Sequence, residues 1–486
     1  MRSSKVLVTV ANYGTANDRY LARLMAEYQA MSFSVDVVVL SNVTKRLLPH
    51  SELRIVDLQG EDPWSLPFAH KKVLAERVDD YDLFIYSEDD ILFTELNVRA
   101  FLDLSSVLPS DELLGFLRFE EAPNGERNYP DVHGHFHWDP KSVRRGGQDL
   151  VLAHFTNEHS GCYALTQPQL RRCLTSGGFM VNPHRGRYGL AETAATDPYT
   201  QCGFRKVICI SHIDSFLVHH LPNKYIGSEF GINDTELRRQ MSCLRRFVVH
   251  GPQPGSLLNT ESKLGMGLYS KNYYEPASPT VLSLVPSTAD TVLSLGCGWG
   301  ALEARLAENG LRVTAVPLDP VIPGGICDRG VEVVSGELED VLLALCGRQF
   351  GCILLSHVLH LVPDPIHLLR SIRKMLSPDG ILILSLPNMS SLAVDWHRFV
   401  GDHCFSGLRT FNQSGVQFTS FRSARQWIVS SGMTLERTVH LPSPRTAKLT
   451  KATFGLLDPL LSSEFVLSAR PGGDPNNNHR EFHFGH

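Results

Sequence analysis

Apolar residues along the chain fall into short unbroken runs that alternate with stretches of helical spacing, and this happens in two separate halves. Short apolar runs bounded by polar residues predict buried strands, whereas apolar positions three and four residues apart predict amphipathic helices. In the first half, strands are predicted at 5–10, 34–40 and 83–86, with helices near 20–28 and 69–77. In the second half, strands are predicted at 292–295, 311–316 and 352–360, followed by a further one within 376–388. Alternating strands and helices favour parallel sheets covered on both faces, so the fold class is α/β with two Rossmann-like domains.

The chain of 486 residues is longer than a domain with a single hydrophobic core usually is, which predicts two or three domains. A stretch rich in proline and glycine at 249–256 is typical of a linker. We therefore expect one domain at 1–250, a linker at 251–268 and a second domain at 269–470. Residues 471–486 are poor in apolar side chains, which predicts a disordered tail.

Charge and composition narrow the classes of partner. The formal net charge is -5 and no run of lysine and arginine occurs, so nucleic acid and anionic membranes are disfavoured. No apolar run reaches the roughly 18 residues of a membrane span. Ten cysteines are scattered without C-x-x-C pairs, and the N-terminus runs directly into a predicted strand instead of a long signal-peptide core. These features predict a cytoplasmic protein with reduced thiols.

Three glycines follow the first strand of the second half. The strand at 292–295 leads into Gly296, Cys297, Gly298, Trp299 and Gly300, and a helical pattern begins directly afterwards. Glycines allow positive φ and let the backbone approach a ligand closely, and a helix N-terminus presents free amides. The spacing G-x-G-x-G differs from the G-x-G-x-x-G dinucleotide fingerprint. The segment predicts a nucleotide-binding turn of another kind.

Residues from about 269 to about 437 resemble the class I S-adenosylmethionine-dependent methyltransferases, with the strands, the glycine turn and the later motifs in the expected order. The resemblance implies S-adenosylmethionine as cofactor. It also implies a ribose contact from an acidic residue that ends the second strand, but Pro317 stands there and the contact falls to Asp319. The cofactor-binding residues implied in this way are Gly296, Cys297, Gly298, Gly300, Asp319, Glu337 near the adenine, and Tyr273 and Tyr274 in a lid.

An oxygen nucleophile needs its proton removed as a methyl group moves, and three histidines could act as the general base. His360 ends the strand predicted at 352–360, while His397 and His403 lie in a segment that interrupts the sheet pattern. Catalysis by positioning alone is the alternative. The sequence does not choose among the three histidines.

Three consecutive carboxylates, Glu88, Asp89 and Asp90, follow the strand at 83–86 in the first half. Ligands bind at the carboxyl ends of strands in open α/β sheets. Adjacent negative charges are costly unless a positive charge is shared among them, and a hard divalent cation with oxygen ligands would provide it. The alternative to a metal site is that these carboxylates lie in a solvated turn or cap a helix.

This first half, from about residue 5 to about residue 230, resembles the GT-A glycosyltransferases, in which an acidic triplet holds Mn²⁺ or Mg²⁺ against a nucleotide-sugar donor. The resemblance implies that a carboxylate on the acceptor side removes a proton from the acceptor hydroxyl. Glu192 is the first candidate and Asp197 the second, although either could instead cap a helix. The resemblance also implies a histidine that completes the metal site, and His220 is preferred over His219, which would face the other way on a strand.

The two resemblances together predict a bifunctional enzyme. It would transfer a sugar from a nucleotide-sugar donor to a glycan or small-molecule acceptor and O-methylate the sugar or the acceptor. Two other hypotheses remain. The first half could be a degenerate sugar-binding module that serves a single methyltransferase, or the chain could be an inactive scaffold.

Overall fold

The structure is a computed structural model that describes residues 4–49, 51–147, 149–228, 230–251, 255–326, 329–405, 407–443, 446 and 457–472. The chain divides into two compact units, Met1–Gln253 and Pro254–His486. Of the predicted tail, residues 473–486 lie outside the described part of the chain, and Pro471 belongs to the last strand.

The first unit mixes strands and helices and pairs its strands in three sheets. Its strands are β1 (Lys5–Asn12), β2 (Ser34–Ser41), β3 (Ser51–Ile55), β4 (Leu83–Glu88), β5 (Ile91–Leu92), β6 (Glu112–Leu114), β7 (Leu117–Glu121), β8 (Arg127–Tyr129), β9 (Arg144–Arg145), β10 (Val151–Ala153), β11 (Cys162–Thr166), β12 (Arg205–Cys209), β13 (Leu217–His220) and β14 (Ile232–Asn233). Its α-helices are α1 (Asp18–Ala30), α2 (His70–Glu76), α3 (Glu95–Ser105), α4 (Gln167–Thr175), α5 (Leu190–Thr200) and α6 (Asp234–His250). Its 3₁₀ helices are Pro63–Ala69, Pro140–Ser142 and Ile213–Phe216.

The main sheet of this unit has the order β11-β4-β1-β2-β3. Strands β4, β1, β2 and β3 are parallel, and β11 runs antiparallel to β4. The other two sheets have the orders β6-β12-β10-β9 and β14-β8-β7-β13-β5. The parallel register places the ends of β1, β2 and β4 at one edge, so that Asn12, Ser41 and Glu88 are neighbours there.

The apolar pattern explains this sheet. Successive residues Leu7 and Val8 point to opposite faces of β1, and both are fully buried, as expected for a parallel strand covered on both sides. Helix α1 buries Leu21, Leu24 and Met25, whose spacing of three and four residues forms one face. The strands and the helix predicted from the sequence are therefore confirmed here, with the helix extended by two residues at each end.

The second unit is built on one seven-stranded sheet. Its strands are β15 (Thr291–Cys297), β16 (Arg312–Pro317), β17 (Glu332–Val333), β18 (Phe350–Ser356), β19 (Leu376–Pro387), β20 (Met433–Pro442) and β21 (Ser462–Pro471). Its α-helices are α7 (Pro279–Leu284), α8 (Ala301–Glu308), α9 (Leu338–Ala344), α10 (Pro365–Met375), α11 (Leu392–Phe399), α12 (Phe411–Ser414), α13 (Phe421–Ser430) and α14 (Asp458–Leu461). Its 3₁₀ helices include Gly265–Gly267, Leu359–Leu361 and His403–Phe405.

The strand order is β17-β16-β15-β18-β19-β21-β20. Strands β15 to β19 are parallel, while β21 runs antiparallel to both of its neighbours. The chain moves outward from β15 to β16 and β17, then returns to place β18 on the other side of β15. Such a reversal of strand order leaves a crevice at the carboxyl ends of the strands, where open α/β sheets bind ligands.

The segment predicted as a linker, 251–268, is largely part of the second unit. Leu257 is buried in the core of that unit, and its amide donates to the carbonyl of Leu318 at 2.8 Å. Leu264 is buried as well. The proline and glycine content suggested a linker, but these leucines anchor the segment because apolar side chains stabilise the fold when they leave water.

None of the described helices is both long enough and apolar enough to cross a membrane.

Candidate functional site

The glycine turn of the second unit lies at the carboxyl end of β15, at the reversal of strand order. Gly296 and Gly300 have φ of 80° and 89°, in the left-handed region that favours glycine. Gly300 also precedes the first residue of α8. Below the turn, the Ser294 hydroxyl donates to the Glu303 carboxylate at 2.6 Å, and both side chains are buried, which ties β15 to α8.

A side chain at any of the three glycines would collide with its surroundings. A Cβ would lie 2.4 Å from Val358 at Gly296, 2.1 Å from the Tyr273 carbonyl oxygen at Gly298 and 2.1 Å from Ile326 at Gly300. Real Cβ atoms do not approach other atoms so closely. The turn can therefore close in this form only with glycine.

Two of the other predicted cofactor residues gather around this turn. The Tyr273 carbonyl accepts the Trp299 amide at 2.9 Å, and the Tyr273 ring is fully buried with Leu318 and Ile322. Asp319, which is 2% exposed, accepts the amides of Val321 and Ile322 with Oδ1 at 2.7 and 2.9 Å. The charge of Asp319 and, above all, burial raise the pKa of Tyr273. Contact of the glycine turn and of Asp319 with S-adenosylmethionine stays a prediction.

The remaining predicted lid and adenine residues lie on the rim. Tyr274 packs edge-on against Trp299, with ring centroids 6.0 Å apart. Cys297 is buried at the end of β15, and its carbonyl accepts the Leu318 amide at 3.0 Å. Glu337 is exposed and directly precedes α9. Contact of these residues with a cofactor stays a prediction.

A buried ionic network stands beside the turn, at the carboxyl end of β18. The Lys271 ammonium is fully buried, forms an ion pair with Glu275 and donates to the Ser356 carbonyl at 2.7 Å. The His357 ring lies between two carboxylates, 3.5 Å from Glu275 and 3.1 Å from Glu464. The backbone of His357 has φ of 48°, an uncommon conformation for a residue other than glycine. The network fixes the 269–275 segment against the strand end.

The two carboxylates outweigh the burial of His357 and raise its pKa to about 9, so the ring is a cation at neutral pH. This residue was not predicted, because the strand expected at 352–360 placed it inside the strand, whereas β18 ends at Ser356. Its partner Glu464 is 107 residues away and gives no local signal.

This network predicts a pH-dependent stability of the second unit. Because the pKa of folded His357, about 9, lies above the ordinary value of 6.5, its contribution is complete below about pH 6.5 and is lost as the pH rises through about 9. We expect hydrogen-exchange protection of β18 and β21 to fall over this range. The variant His357→Gln should lose that dependence, whereas a variant of the exposed His367, His367→Gln, should keep it. Identical pH profiles for His357→Gln and the unaltered chain would contradict the assignment.

The three predicted general bases lie in different surroundings. His360 is buried, its Nε2 lies 2.8 Å from the Tyr269 carbonyl oxygen, and burial lowers its pKa to about 3. Its Nδ1 has no partner among the described residues. His397 and His403 are partly exposed, with ring nitrogens 3.0 and 3.5 Å from the Asp402 carboxylate. None of the three is shown to face an acceptor, so their catalytic roles stay predictions.

In the first unit, the acidic triplet lies at the carboxyl end of β4, but its side chains diverge. Asp89 turns toward the loop after β1, where it accepts the side-chain amides of Asn12 and Asn17 at 2.6 and 2.7 Å. Burial is the largest cause that raises the pKa of Asp89, to about 6. Lys45 holds the same loop through the Gly14 carbonyl at 2.8 Å.

Glu88 and Asp90 belong to a different cluster, which also includes Glu192. Burial, the largest cause, and the carboxylates of Asp90 and Glu192 raise the pKa of Glu88 to about 8, against the opposing effect of Arg118. Glu192 lies in the first turn of α5, and its carboxylate folds back over Gly189, where a Cβ would be 2.5 Å from Oε2. Three carboxylates thus influence one another at this sheet edge.

His220, the last residue of β13, lies next to the cluster of Glu88, Asp90 and Glu192. This is the side of the strand that the choice of His220 over His219 predicted. The His220 Nε2 is 3.6 Å from Asp90, and its Nδ1 is 2.6 Å from Glu120. His219 faces away and stacks on Phe119 at 4.7 Å. Even so, the described residues bring three metal-ligating atoms within 4.8 Å of one another only at Asp402, His403 and Cys404. The predicted ligands Glu88, Asp89, Asp90 and His220 do not converge in this structure.

Asp197, the second candidate base, is in a different position from Glu192. It is fully buried in α5, forms an ion pair with the buried ammonium of Lys71 and lies 3.0 Å from His184 Nε2. The structure therefore favours a structural ion pair over a base that could meet an acceptor. Helix spacing did not reveal this, because the partner Lys71 is 126 residues away.

Comparisons with known proteins match the second unit. Residues 269–438 match a family described as a methyltransferase domain. The ubiquinone biosynthesis O-methyltransferase of Histophilus somni is 29% identical over 126 residues, which cover 23% of this chain and 52% of that protein. The protein of the same name from Xanthomonas oryzae pv. oryzae is 33% identical over 107 residues, which cover 21% and 45%. The chain thus spans about half the length of these curated relatives.

A solved S-adenosylmethionine-dependent methyltransferase from Mesorhizobium loti is 18% identical with a TM-score of 0.29, and the alignment covers 40% of this chain and 96% of that one. The family match covers the glycine turn, the Tyr273 segment and strands β15 to β19. On the family match, the second unit contains a methyltransferase domain at residues 269–438.

Proposed function

We propose that the second unit methylates a hydroxyl oxygen of a small molecule or glycan and that the first unit is a GT-A-like glycosyltransferase acting on the same compound. The observation that carries the methyltransferase half is the glycine turn at the reversal of strand order, with Asp319 and Tyr273 beside it. Methylation at oxygen is supported by the printed function of the relatives.

S-adenosylmethionine supplies an electrophilic methyl group on a sulfonium sulfur. The turn from Gly296 to Gly300 would hold it, Asp319 would bind its ribose and the segment with Tyr273 would cover it. The acceptor oxygen must lose a proton, but His357 already carries one at neutral pH and His360 is a very weak base with its pKa near 3. Of the predicted bases, His397 and His403 therefore remain as candidates, and positioning of an acceptor that is acidic enough to ionise in water is the alternative.

The glycosyltransferase half rests on Glu88, Asp90 and Glu192 at the carboxyl edge of a parallel sheet. Mn²⁺ or Mg²⁺ would be held by Asp90 and His220 together with diphosphate oxygens of the nucleotide-sugar donor, and would neutralise the leaving group. Glu192 would then remove the proton of the acceptor hydroxyl. A shared chain would raise the local concentration of one product at the other site.

One observation favours a second candidate function for the first unit. One of its four predicted metal ligands, Asp89, points away from the others and is bound to two asparagine side chains. A non-catalytic sugar-binding module needs no metal and tolerates this arrangement. Under that alternative the chain has a single activity, that of a methyltransferase.

A panel of ligands on the full chain tests both units. A ligand that binds only the folded state raises the unfolding midpoint according to RT ln(1 + [L]/Kd). We expect S-adenosylhomocysteine to protect the second unit, and a nucleotide sugar to protect the first unit only when Mn²⁺ is present. Protection by a free sugar without metal would support the binding module.

Within this panel, Asp90→Asn is expected to weaken Mn²⁺-dependent binding of a nucleoside diphosphate by about tenfold or more, because the variant loses the carboxylate beside His220. Calorimetry with and without Mn²⁺ measures the effect. The matched control is Asp79→Asn, since the Asp79 side chain is 73% exposed and its ion pair is worth little. If neutral variants of Glu88, Asp89 and Asp90 all bind as the unaltered chain does, the glycosyltransferase proposal is wrong.

A further inference from the structure

A second set of metal-ligating side chains lies in the second unit, between α11 and α12. Asp402, His403 and Cys404 are consecutive, and one potential ligand atom from each lies within 4.8 Å of the other two. The His403 ring stands between its neighbours, with Nδ1 3.5 Å from the Asp402 carboxylate and Nε2 3.4 Å from the Cys404 sulfur. Among the described residues, this grouping of ligand types occurs nowhere else.

These spacings suit one small cation. Zinc binds sulfur at about 2.3 Å and nitrogen or oxygen at about 2.0–2.2 Å, and ligands around a tetrahedral zinc are roughly 3–4 Å apart. A zinc ion binds only one nitrogen of an imidazole, and with Nε2 as that nitrogen the 3.4 Å separation from the Cys404 sulfur falls in that range. The ligand atoms of all three residues lie within 4.8 Å of one another. A set of thiolate, imidazole and carboxylate favours zinc over Mg²⁺ or Ca²⁺, which prefer oxygen ligands only.

The surroundings hold the ligands in place. The Asp402 Oδ1 accepts the Cys404 amide at 3.0 Å, and its Oδ2 lies 3.0 Å from His397 Nδ1. The His397 ring stacks on Phe405 with centroids 5.0 Å apart. Gly265 packs closely on the other side, where a Cβ would lie 3.0 Å from the Cys404 backbone. A second residue that orients a ligating carboxylate is a usual feature of metal sites.

We propose that Asp402, His403 and Cys404 bind one Zn²⁺ ion, with His397 orienting Asp402 and a fourth position left to water or another oxygen ligand. On binding, the Cys404 thiol loses its proton to solvent and the thiolate joins the ion. The ion would fasten the turn that follows α11. This site does not depend on the proposed methylation or glycosyl transfer.

Cobalt(II) provides a test that reports the sulfur ligand directly, because a Co²⁺–thiolate bond gives a charge-transfer absorption band. The metal-free, untagged full chain is titrated with Co²⁺ and then with Zn²⁺. We expect a thiolate band that saturates at one Co²⁺ per chain and that Zn²⁺ abolishes. The Cys404→Ser variant should lose the band, and both Cys404→Ser and Asp402→Asn should bind Zn²⁺ at least about tenfold more weakly.

The chain offers matched controls. Of the described cysteines, only Cys346 and Cys404 are not buried, so Cys346→Ser removes the other accessible thiol. Cys327 lies outside the described residues, and Cys327→Ser completes the comparison. Both control variants should keep the band. Binding of S-adenosylhomocysteine by each variant shows that the unit is folded.

Two results would overturn the metal site: a band that persists in Cys404→Ser, or Zn²⁺ affinity that is unchanged in Asp402→Asn. If Cys404→Ser fails to fold, Asp402→Asn alone decides the question, because the amide has the shape of the carboxylate without its charge. Loss of S-adenosylhomocysteine binding by the unaltered chain would count against the proposed methyltransferase function and would leave this test intact.

Discussion

Replacement of Gly298 by valine is expected to abolish binding of S-adenosylhomocysteine, with a loss of about 100-fold or more, or about 2.8 kcal/mol. The added Cβ would lie 2.1 Å from the Tyr273 carbonyl oxygen, which is backbone and cannot rotate away. Either the turn or the 269–275 segment must move, and both belong to the predicted cofactor site. Isothermal titration calorimetry on the full chain measures the affinity.

Gly325→Ala is the matched control for this experiment. A Cβ at Gly325 has no neighbour within 4 Å and its φ is not in the left-handed region, so binding should be unchanged. Equal affinity of Gly298→Val and the unaltered chain would remove the glycine turn from the cofactor site. Loss of affinity in both variants would show a general sensitivity of the unit instead of a local one.

The second large effect concerns stability of the first unit. Asp197→Leu leaves the ammonium of Lys71, with a side chain 2% exposed, without its carboxylate. Removing one partner of a buried ion pair costs about 3–5 kcal/mol because the remaining charge stays out of water. We expect a loss of that size in the free energy of unfolding, measured by urea titration with hydrogen exchange to follow the first unit.

The double variant Lys71→Met/Asp197→Leu should recover most of the loss, since two apolar side chains replace the pair without an unpaired charge. Asp79→Asn breaks the exposed ion pair with Arg171 and should cost about 1 kcal/mol or less. The hypothesis that Asp197 is a catalytic base predicts the opposite result, because its removal would then lower activity while the free energy of unfolding stayed the same or increased. A stable Asp197→Leu protein would therefore refute the structural assignment.

Local patterns predicted much of the architecture. The apolar runs that became β1, β4, β15 and β18 are buried on both faces, so few polar residues interrupt the pattern, and those that do, such as Thr9 and Ser294, are buried hydroxyls. Strand ends also identified candidate functional positions, because the chain must turn there and polar side chains collect at the sheet edge. Gly298 was found in this way, whereas His357 was missed because the predicted strand extended past the observed end of β18 at Ser356.

Pairs distant in sequence could not be predicted. Lys71 meets Asp197 and His357 meets Glu464 only after the sheets form, and neither residue of a pair carries a local sign of its partner. The turn after β4 likewise decides that Asp89 points toward Asn12 and Asn17 while Asp90 points toward His220. Three adjacent carboxylates in a sequence do not specify a common direction.

The position of β21 has a consequence for the order in which the second unit forms. This strand lies between β19 and β20, and it is the last strand in the described chain. Until residues 462–471 have left the ribosome, β19 has an unpaired edge and β20 has no partner in the sheet. Exposed strand edges pair readily with other chains. A nascent chain, or a fragment cut at residue 438 where the family match ends, would therefore expose the edge of β19 to pairing with other chains. In the complete sheet, β21 covers that edge.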